Sequence, residues 1–146
     1  MRAYVSVFVM LSFFVLCISG CSSLFQRTSE SVSPIVGTWI SYDPGAQIIF
    51  SFSPDNTMYC SVPEAPEYDF SANYVCDFSQ ETATIDLENI SSSGVPVNCL
   101  GIVRFNEANA MEFAGSFGTQ PERPTRFSGS SDNLSNIYLR FTRQDQ

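Results

Sequence analysis

Residues 82–88 read Thr-Ala-Thr-Ile-Asp-Leu-Glu, and this stretch alternates between polar and apolar side chains. On an extended chain, Ala83, Ile85 and Leu87 would share one face, while the polar side chains would share the other. Residues 136–143, which read Asn-Ile-Tyr-Leu-Arg-Phe-Thr-Arg, show the same period. A period of two indicates half-buried β-strands rather than helices.

The same alternation continues through the chain from residue 35 onward, and turn-forming residues separate the apolar runs. Eight consecutive strands with mainly short connections favour an all-β fold, an eight-stranded up-and-down antiparallel barrel, because closure removes exposed sheet edges. An open sandwich of the same strands is the alternative, and residues 125–129 allow a short ninth strand. The eight strands are expected at residues 35–42, 46–52, 57–62, 73–79, 82–89, 97–105, 110–117 and 136–143.

The N-terminus has the composition of an export signal. Arg2 precedes residues 5–18, which are apolar except for two serines. This run is shorter than the roughly 20 residues that span a bilayer, and it suits the apolar region of a signal peptide. We therefore expect a signal peptide at residues 1–20, a polar tether at residues 21–33 and one domain at residues 34–146. An uncleaved anchor or an ordinary signal peptide is the alternative.

Ile18-Ser19-Gly20-Cys21 follows the apolar run directly and resembles the lipobox of bacterial lipoproteins. The resemblance implies cleavage between Gly20 and Cys21, followed by attachment of diacylglycerol to the sulfur and of an acyl chain such as palmitate to the new amine. Ser22 stands where aspartate retains Gram-negative lipoproteins at the inner membrane. The implied location is the outer membrane, with the domain held at its periplasmic face by the lipid anchor.

Gly37-Thr38-Trp39 is similar to the Gly-x-Trp signature near the start of lipocalins and of small lipocalin-like bacterial lipoproteins. Residues 52–57 and 139–143 resemble a hairpin and the closing strand of those domains. The first and last strands of a closed antiparallel barrel pair with each other, and this pairing brings Trp39 close to Arg143. An arginine stacked on the indole would close one end of the barrel. True lipocalins are longer and have loops that roof a ligand cavity.

Three cysteines fall within the domain, and an exported protein meets an oxidising compartment. A hairpin that sets Met58 opposite Phe78 would place Cys60 opposite Cys76. This register predicts a Cys60–Cys76 disulfide. Cys99 is then left over and is expected to be a small buried core residue.

The composition excludes several classes of function. The chain contains no histidine and no lysine, and its formal net charge is −8. It therefore lacks the residues for a Ser-His-Asp triad, an imidazole zinc site or a Walker A loop. No basic stripe is present to bind nucleic acid. We expect no enzyme activity, no cofactor and no metal site. The acidic residues of the loop at 63–72 are interpreted as exposed rather than as calcium ligands, and Arg104 is expected to pair with Glu112 on the surface.

Two functions remain. The barrel either binds a small apolar ligand, or it has a filled interior and contacts an envelope partner or inhibits an enzyme. A cavity would favour the first function and a dry core the second. The inward-facing candidates that would fill the barrel include Trp39, Phe50, Phe52, Phe78, Phe105, Phe113, Phe117 and Phe141.

Overall fold

The structure, a computed structural model, describes residues 33–43, 45–91, 97–129 and 136–144. Gly20, Cys21 and the signal and tether segments through residue 32 lie outside the described residues. None of the helices in the described ranges has the length and apolar character needed to cross a bilayer. The elements are β1 (Gly37–Ser41), β2 (Ile48–Phe52), β3 (Thr57–Ser61), the 3-10 helix η1 (Pro66–Tyr68), β4 (Phe70–Asp77), β5 (Ala83–Ile90), β6 (Val97–Glu107), β7 (Ala110–Gly118) and β8 (Asn136–Arg143).

The eight strands form a closed barrel in chain order, and each strand runs antiparallel to its neighbours. β8 returns to pair with β1, with Trp39 opposite Arg143 and Ile40 opposite Thr142. The predicted fold class is therefore confirmed. Residues 125–129 form no ninth strand.

The predicted register between β3 and β4 is wrong. Cys60 lies opposite Phe70 rather than Cys76. The turn is tighter than expected because η1 shortens it and because the Asp69 carboxylate accepts a hydrogen bond of 2.7 Å from the Val62 amide. Cys76 lies six residues further along β4, a distance of about 20 Å for an extended strand.

A disulfide requires Cα atoms within about 7 Å of each other, so this register separates Cys60 and Cys76 too far for the predicted bridge. The structure has Cys60, Cys76 and Cys99 as free thiols. As expected, Cys99 is fully buried. Phe78 also differs from the prediction: β4 ends before it, and its side chain is 37% exposed instead of inside the barrel. Its ring instead packs at 6.2 Å from that of Phe105.

The middle of the barrel is occupied by aromatic rings. The ring of Phe50 lies 4.7 Å from that of Phe141 and 5.5 Å from that of Phe113. Gly101 and Gly115 face each other across β6 and β7, and the ring of Phe113 fills the space that their missing side chains leave. A Cβ atom at Gly115 would lie 2.7 Å from two carbons of that ring. The interior is closely packed at this level.

The two ends of the barrel differ in their loops. At one end, short turns at residues 53–56, 78–82 and 108–109 connect the strands, and the chain enters β1 there. We call this the closed end. The longer connections at residues 42–47, 62–69, 91–96 and 119–135 all emerge at the opposite end. We call this the loop end.

Part of the last connection folds back over the outer wall. We call residues 119–129 the strap. The guanidinium of Arg123 donates hydrogen bonds to the carbonyl oxygens of Gly101 and Ile85 and pairs with Asp86. Three residues that neighbour the inward-facing Gly101 and Gly115 are also buried, although they lie on the outer face of β6 and β7. They are Ile102, Ala114 and Ser116.

Candidate functional site

A ring of partly buried apolar side chains marks the loop end. Each belongs to the inward-facing row of its strand, and each lies at or next to the strand terminus that faces the long loops. The rings of Phe70 and Phe117 meet edge to face, with centroids 6.0 Å apart. We call this set the apolar mouth; its members are Ile48, Val62, Phe70, Phe117 and Ile137.

Small inward-facing residues lie next to Phe70 and Phe117. Cys60 and Cys99 are their direct cross-strand partners, and Ala72 and Gly115 are the next inward positions on the same strands. The three that carry a side chain are buried. Burial raises the pKa of the Cys60 and Cys99 thiols to about 12. Both sulfurs therefore remain neutral and act as small apolar groups. The large apolar side chains of the mouth therefore have small neutral neighbours, both on the adjacent strands and one inward position further along their own.

The closed end is sealed by Trp39 and Arg143. Trp39 is fully buried, and its Nε1 donates a hydrogen bond of 2.8 Å to the Ile35 carbonyl. The Arg143 guanidinium carbon lies 4.3 Å from the indole centroid. Arg143 also donates to the carbonyl oxygens of Val36 and Pro34. The pair predicted from the sequence thus packs over the barrel end away from the apolar mouth.

Gly37 is required by this seal. Its φ of +133° lies in a region that side chains rarely adopt, and a Cβ atom would lie 3.2 Å from Arg143 Nη1. Glycine lets the backbone approach the guanidinium closely. This is a physical reason for the glycine in the Gly-x-Trp sequence, which the sequence alone did not reveal.

Carboxylates surround the loop end. Glu64 and Glu67 are exposed on the connection between β3 and β4. Asp69, on the same connection, accepts hydrogen bonds from the Val62 amide and from Tyr59, and these bonds lower the pKa of its carboxyl group. Asp43 pairs with Arg140 at 2.9 Å, which lowers the pKa of Asp43. From the sequence, Glu64, Glu67 and Asp69 were expected only as acidic residues of the exposed loop at 63–72, and the Asp43–Arg140 pair was not predicted.

The outer wall carries a separate polar network. Glu112 pairs with Arg104, as predicted, and it also accepts hydrogen bonds from Asn106 and from the hydroxyl of Tyr138. These hydrogen bonds, led by that of Tyr138, hold the pKa of Glu112 at about 2. The Arg104 guanidinium lies 4.6 Å from the Phe127 ring of the strap. This network holds the strap and the wall together and does not reach the apolar mouth.

Within the described ranges, no group of three or more acidic, cysteine or histidine side chains is arranged to hold a metal ion. The apolar mouth is therefore the feature that we take as the candidate site. No protein-family model matches the chain, and comparisons with curated proteins and with solved structures found no similar protein.

Proposed function

We propose that this protein is a lipid-anchored lipoprotein of the outer membrane whose lipocalin-like barrel binds a small apolar ligand at the apolar mouth. The observation that carries the proposal is the difference between the two ends of the barrel. At one end the stack of Trp39 and Arg143 covers the barrel, and Cys76 and Phe105 are the partly buried apolar side chains there. At the other end five inward-facing apolar side chains are partly exposed, including the ring pair Phe70 and Phe117. The anchor is inferred from the sequence around Cys21.

Partly exposed apolar side chains favour a ligand that covers them. Removing apolar surface from water contributes about 25 cal/mol per Å². Phe70 and Phe117 offer two ring surfaces in contact with each other, and Ile48, Val62 and Ile137 complete the ring. A ligand placed here would gain contacts without displacing the barrel core.

The packed middle of the barrel limits the size of that ligand. The ring of Phe113 occupies the space above Gly101 and Gly115, and Phe50 packs against it. A long molecule would find this space already filled. The site suits a short alkyl segment or a single ring, held at the mouth.

The same packed core supports a second candidate, the interaction lipoprotein. A barrel with a filled interior would bind its partners through its outer surface. The loops at the loop end would then contact an envelope partner or an enzyme that the protein inhibits. Phe50, Phe113 and Phe141 are the residues that favour this alternative.

The anchor is tested with Cys21→Ser in cells. We expect the wild-type protein to fractionate with outer membranes and to carry acyl chains on its N-terminal peptide by mass spectrometry. The variant should lose both properties. Ser22→Ala is the matched control, because it leaves the cysteine in place. An unmodified Cys21 in the wild-type protein would contradict the anchor.

The mouth is tested with a photoreactive hexyl alcohol, which has the short alkyl segment that the packed core allows, in isolated outer membranes that contain the full protein. We expect cross-links to peptides that carry Phe70, Phe117 or Ile137, and we expect Phe117→Asp to abolish them. Val75→Asp is the control, because Val75 is exposed on β4 outside the barrel. Equal labelling of the wild type and Phe117→Asp would favour the interaction lipoprotein.

A further inference from the structure

We infer that the apolar mouth selects apolar molecules that carry a positively charged head group, such as alkylammonium amphiphiles, over molecules with a carboxylate head. The inference rests on the proposed function and adds the class of ligand. It follows from the charges that the fold places around the mouth.

Acidic residues dominate the loop end. Glu64 and Glu67 are exposed on the connection between β3 and β4, next to Val62 and Phe70 of the mouth. Asp69 lies on the same connection, but its carboxylate accepts hydrogen bonds from the Val62 amide and from the hydroxyls of Tyr59 and Ser61 on the outer face of β3. The charges left to act at the opening are therefore those of Glu64 and Glu67, which create a negative potential there.

The positive charges near this end are already paired or directed elsewhere. Arg140, on β8, donates from Nε and Nη2 to the two carboxylate oxygens of Asp43. Arg123 lies on the outer wall, where it pairs with Asp86. The side chain of Arg143, on the inward-facing row of β8, lies at the closed end on Trp39.

The remaining strap arginine, Arg126, is exposed and lies between two residues of the strap that contact the outer wall. Its neighbour Phe127 lies under the Arg104 guanidinium of β6, and Arg123 is held three residues earlier in the chain. The loop-end connections also include Pro44 and residues 92–96 and 130–135, which lie outside the described residues, and these contain no lysine, arginine or histidine. The chain therefore supplies no unpaired cation to the mouth among the described residues.

The consequence for a ligand depends on its head group. A carboxylate at the mouth would lose water while facing like charges, with no cation to compensate. An ammonium group would remain partly hydrated at the rim and be attracted by Glu64 and Glu67. The apolar tail of either ligand would contact Phe70 and Phe117 in the same way. The difference in affinity between the two ligands therefore comes from the head group.

The experiment compares three photoreactive hexyl probes, bearing ammonium, hydroxyl or carboxylate heads, in isolated outer membranes with the full protein. The test variant is Glu64→Gln/Glu67→Gln. The control is Glu81→Gln/Glu107→Gln, which removes the same charge from exposed residues at the closed end. Each probe is compared between variants, so differences in membrane partitioning cancel.

We expect the ammonium probe to label mouth peptides of the test variant about fourfold less than those of the wild type, the effect of two carboxylates roughly 10 Å from the head group in water. The carboxylate probe should gain labelling, and the hydroxyl probe should not change. The control variant should match the wild type for all three probes.

Two outcomes would overturn the inference. Unchanged ammonium labelling in Glu64→Gln/Glu67→Gln, with the hydroxyl probe still on the mouth, would remove the charge selectivity and leave the proposed function standing. Failure of all three probes to label the mouth would overturn both.

Discussion

Arg143 lies across the indole of Trp39, with its guanidinium carbon 4.3 Å from the ring centroid, and the two residues are direct partners between β8 and β1. This is the seam that closes the barrel, and it is short. β1 pairs with β8 at two positions, whereas β7 pairs with β8 at seven. The stack therefore reinforces a seam that has few backbone contacts.

Arg143→Met should destabilise the protein by about 2–4 kcal/mol, because it removes a cation–π contact and two hydrogen bonds from a charged donor. The carbonyl oxygens of Val36 and Pro34 would lose their partner. Urea unfolding of the purified protein, followed by tryptophan fluorescence, measures the change. Arg126→Met is the control. A shift no larger than that of the control would contradict the role of the seal.

Gly115→Ala tests the packing of the middle of the barrel. The added methyl group would lie 2.7 Å from the Phe113 ring and 2.9 Å from Cys99 Sγ. Overpacking of this kind costs about 1–3 kcal/mol. Thermal unfolding should show a lower midpoint, and Gly115→Ala/Phe113→Leu should recover part of the loss. A Gly115→Ala protein as stable as the wild type would show that this level of the barrel has room.

The lowered pKa of Glu112 predicts that the free energy of unfolding depends on pH. Hydrogen bonds from Tyr138, Arg104 and Asn106 lower its pKa from 4.5 to about 2 in the folded state. A group with a lowered folded pKa stabilises the protein above its unfolded pKa, and this contribution fades as the pH falls from 4.5 towards 2. The stabilisation should be complete at pH 7.

Glu112→Gln should therefore lower the free energy of unfolding at pH 7 by about 1.5–3 kcal/mol, as expected for hydrogen bonds to a charged group. The difference from the wild type should shrink through pH 4 and approach zero near pH 2. Urea unfolding at several pH values measures this. Glu107→Gln, at an exposed position at the end of the neighbouring strand β6, should show no such trend. A difference that is independent of pH would contradict the assignment.

The three thiols of the barrel should be unreactive in the folded protein. Burial raises the pKa of Cys60, Cys76 and Cys99 to about 12, so that very little thiolate is present at pH 8. We expect iodoacetamide to modify all three in urea and to leave the native protein largely unmodified, as counted by mass spectrometry. A Cys60–Cys76 disulfide in unreduced peptide maps would contradict the observed β3–β4 register.

The error in that register shows what alternation cannot specify. Pairing Cys60 with Phe70 instead of Cys76 moves the partner by six residues, and an even offset keeps the same side chains facing inward. Periodicity therefore predicted correctly that both cysteines face inward but could not select their partners. The choice depended on the short turn that Asp69 and η1 stabilise.

The candidate site was only partly predictable. The inward orientation of Phe117 and Ile137 followed from the strand pattern, and the meeting of Trp39 with Arg143 followed from closure. The path of the strap and the pairing of Arg140 with Asp43 did not, because both join residues far apart in the chain without a repeating pattern. The charge balance of the mouth depends on those contacts.

The sequence by itself determined the number and order of the strands and, except for Phe78, the main side chains that face inward, because these features follow from local alternation and turn residues. Only the tertiary structure decided which residues lie opposite each other, which end is sealed and where the paired charges lie. These depend on turn geometry and on long-range contacts, whose energies arise only when the whole barrel is closed.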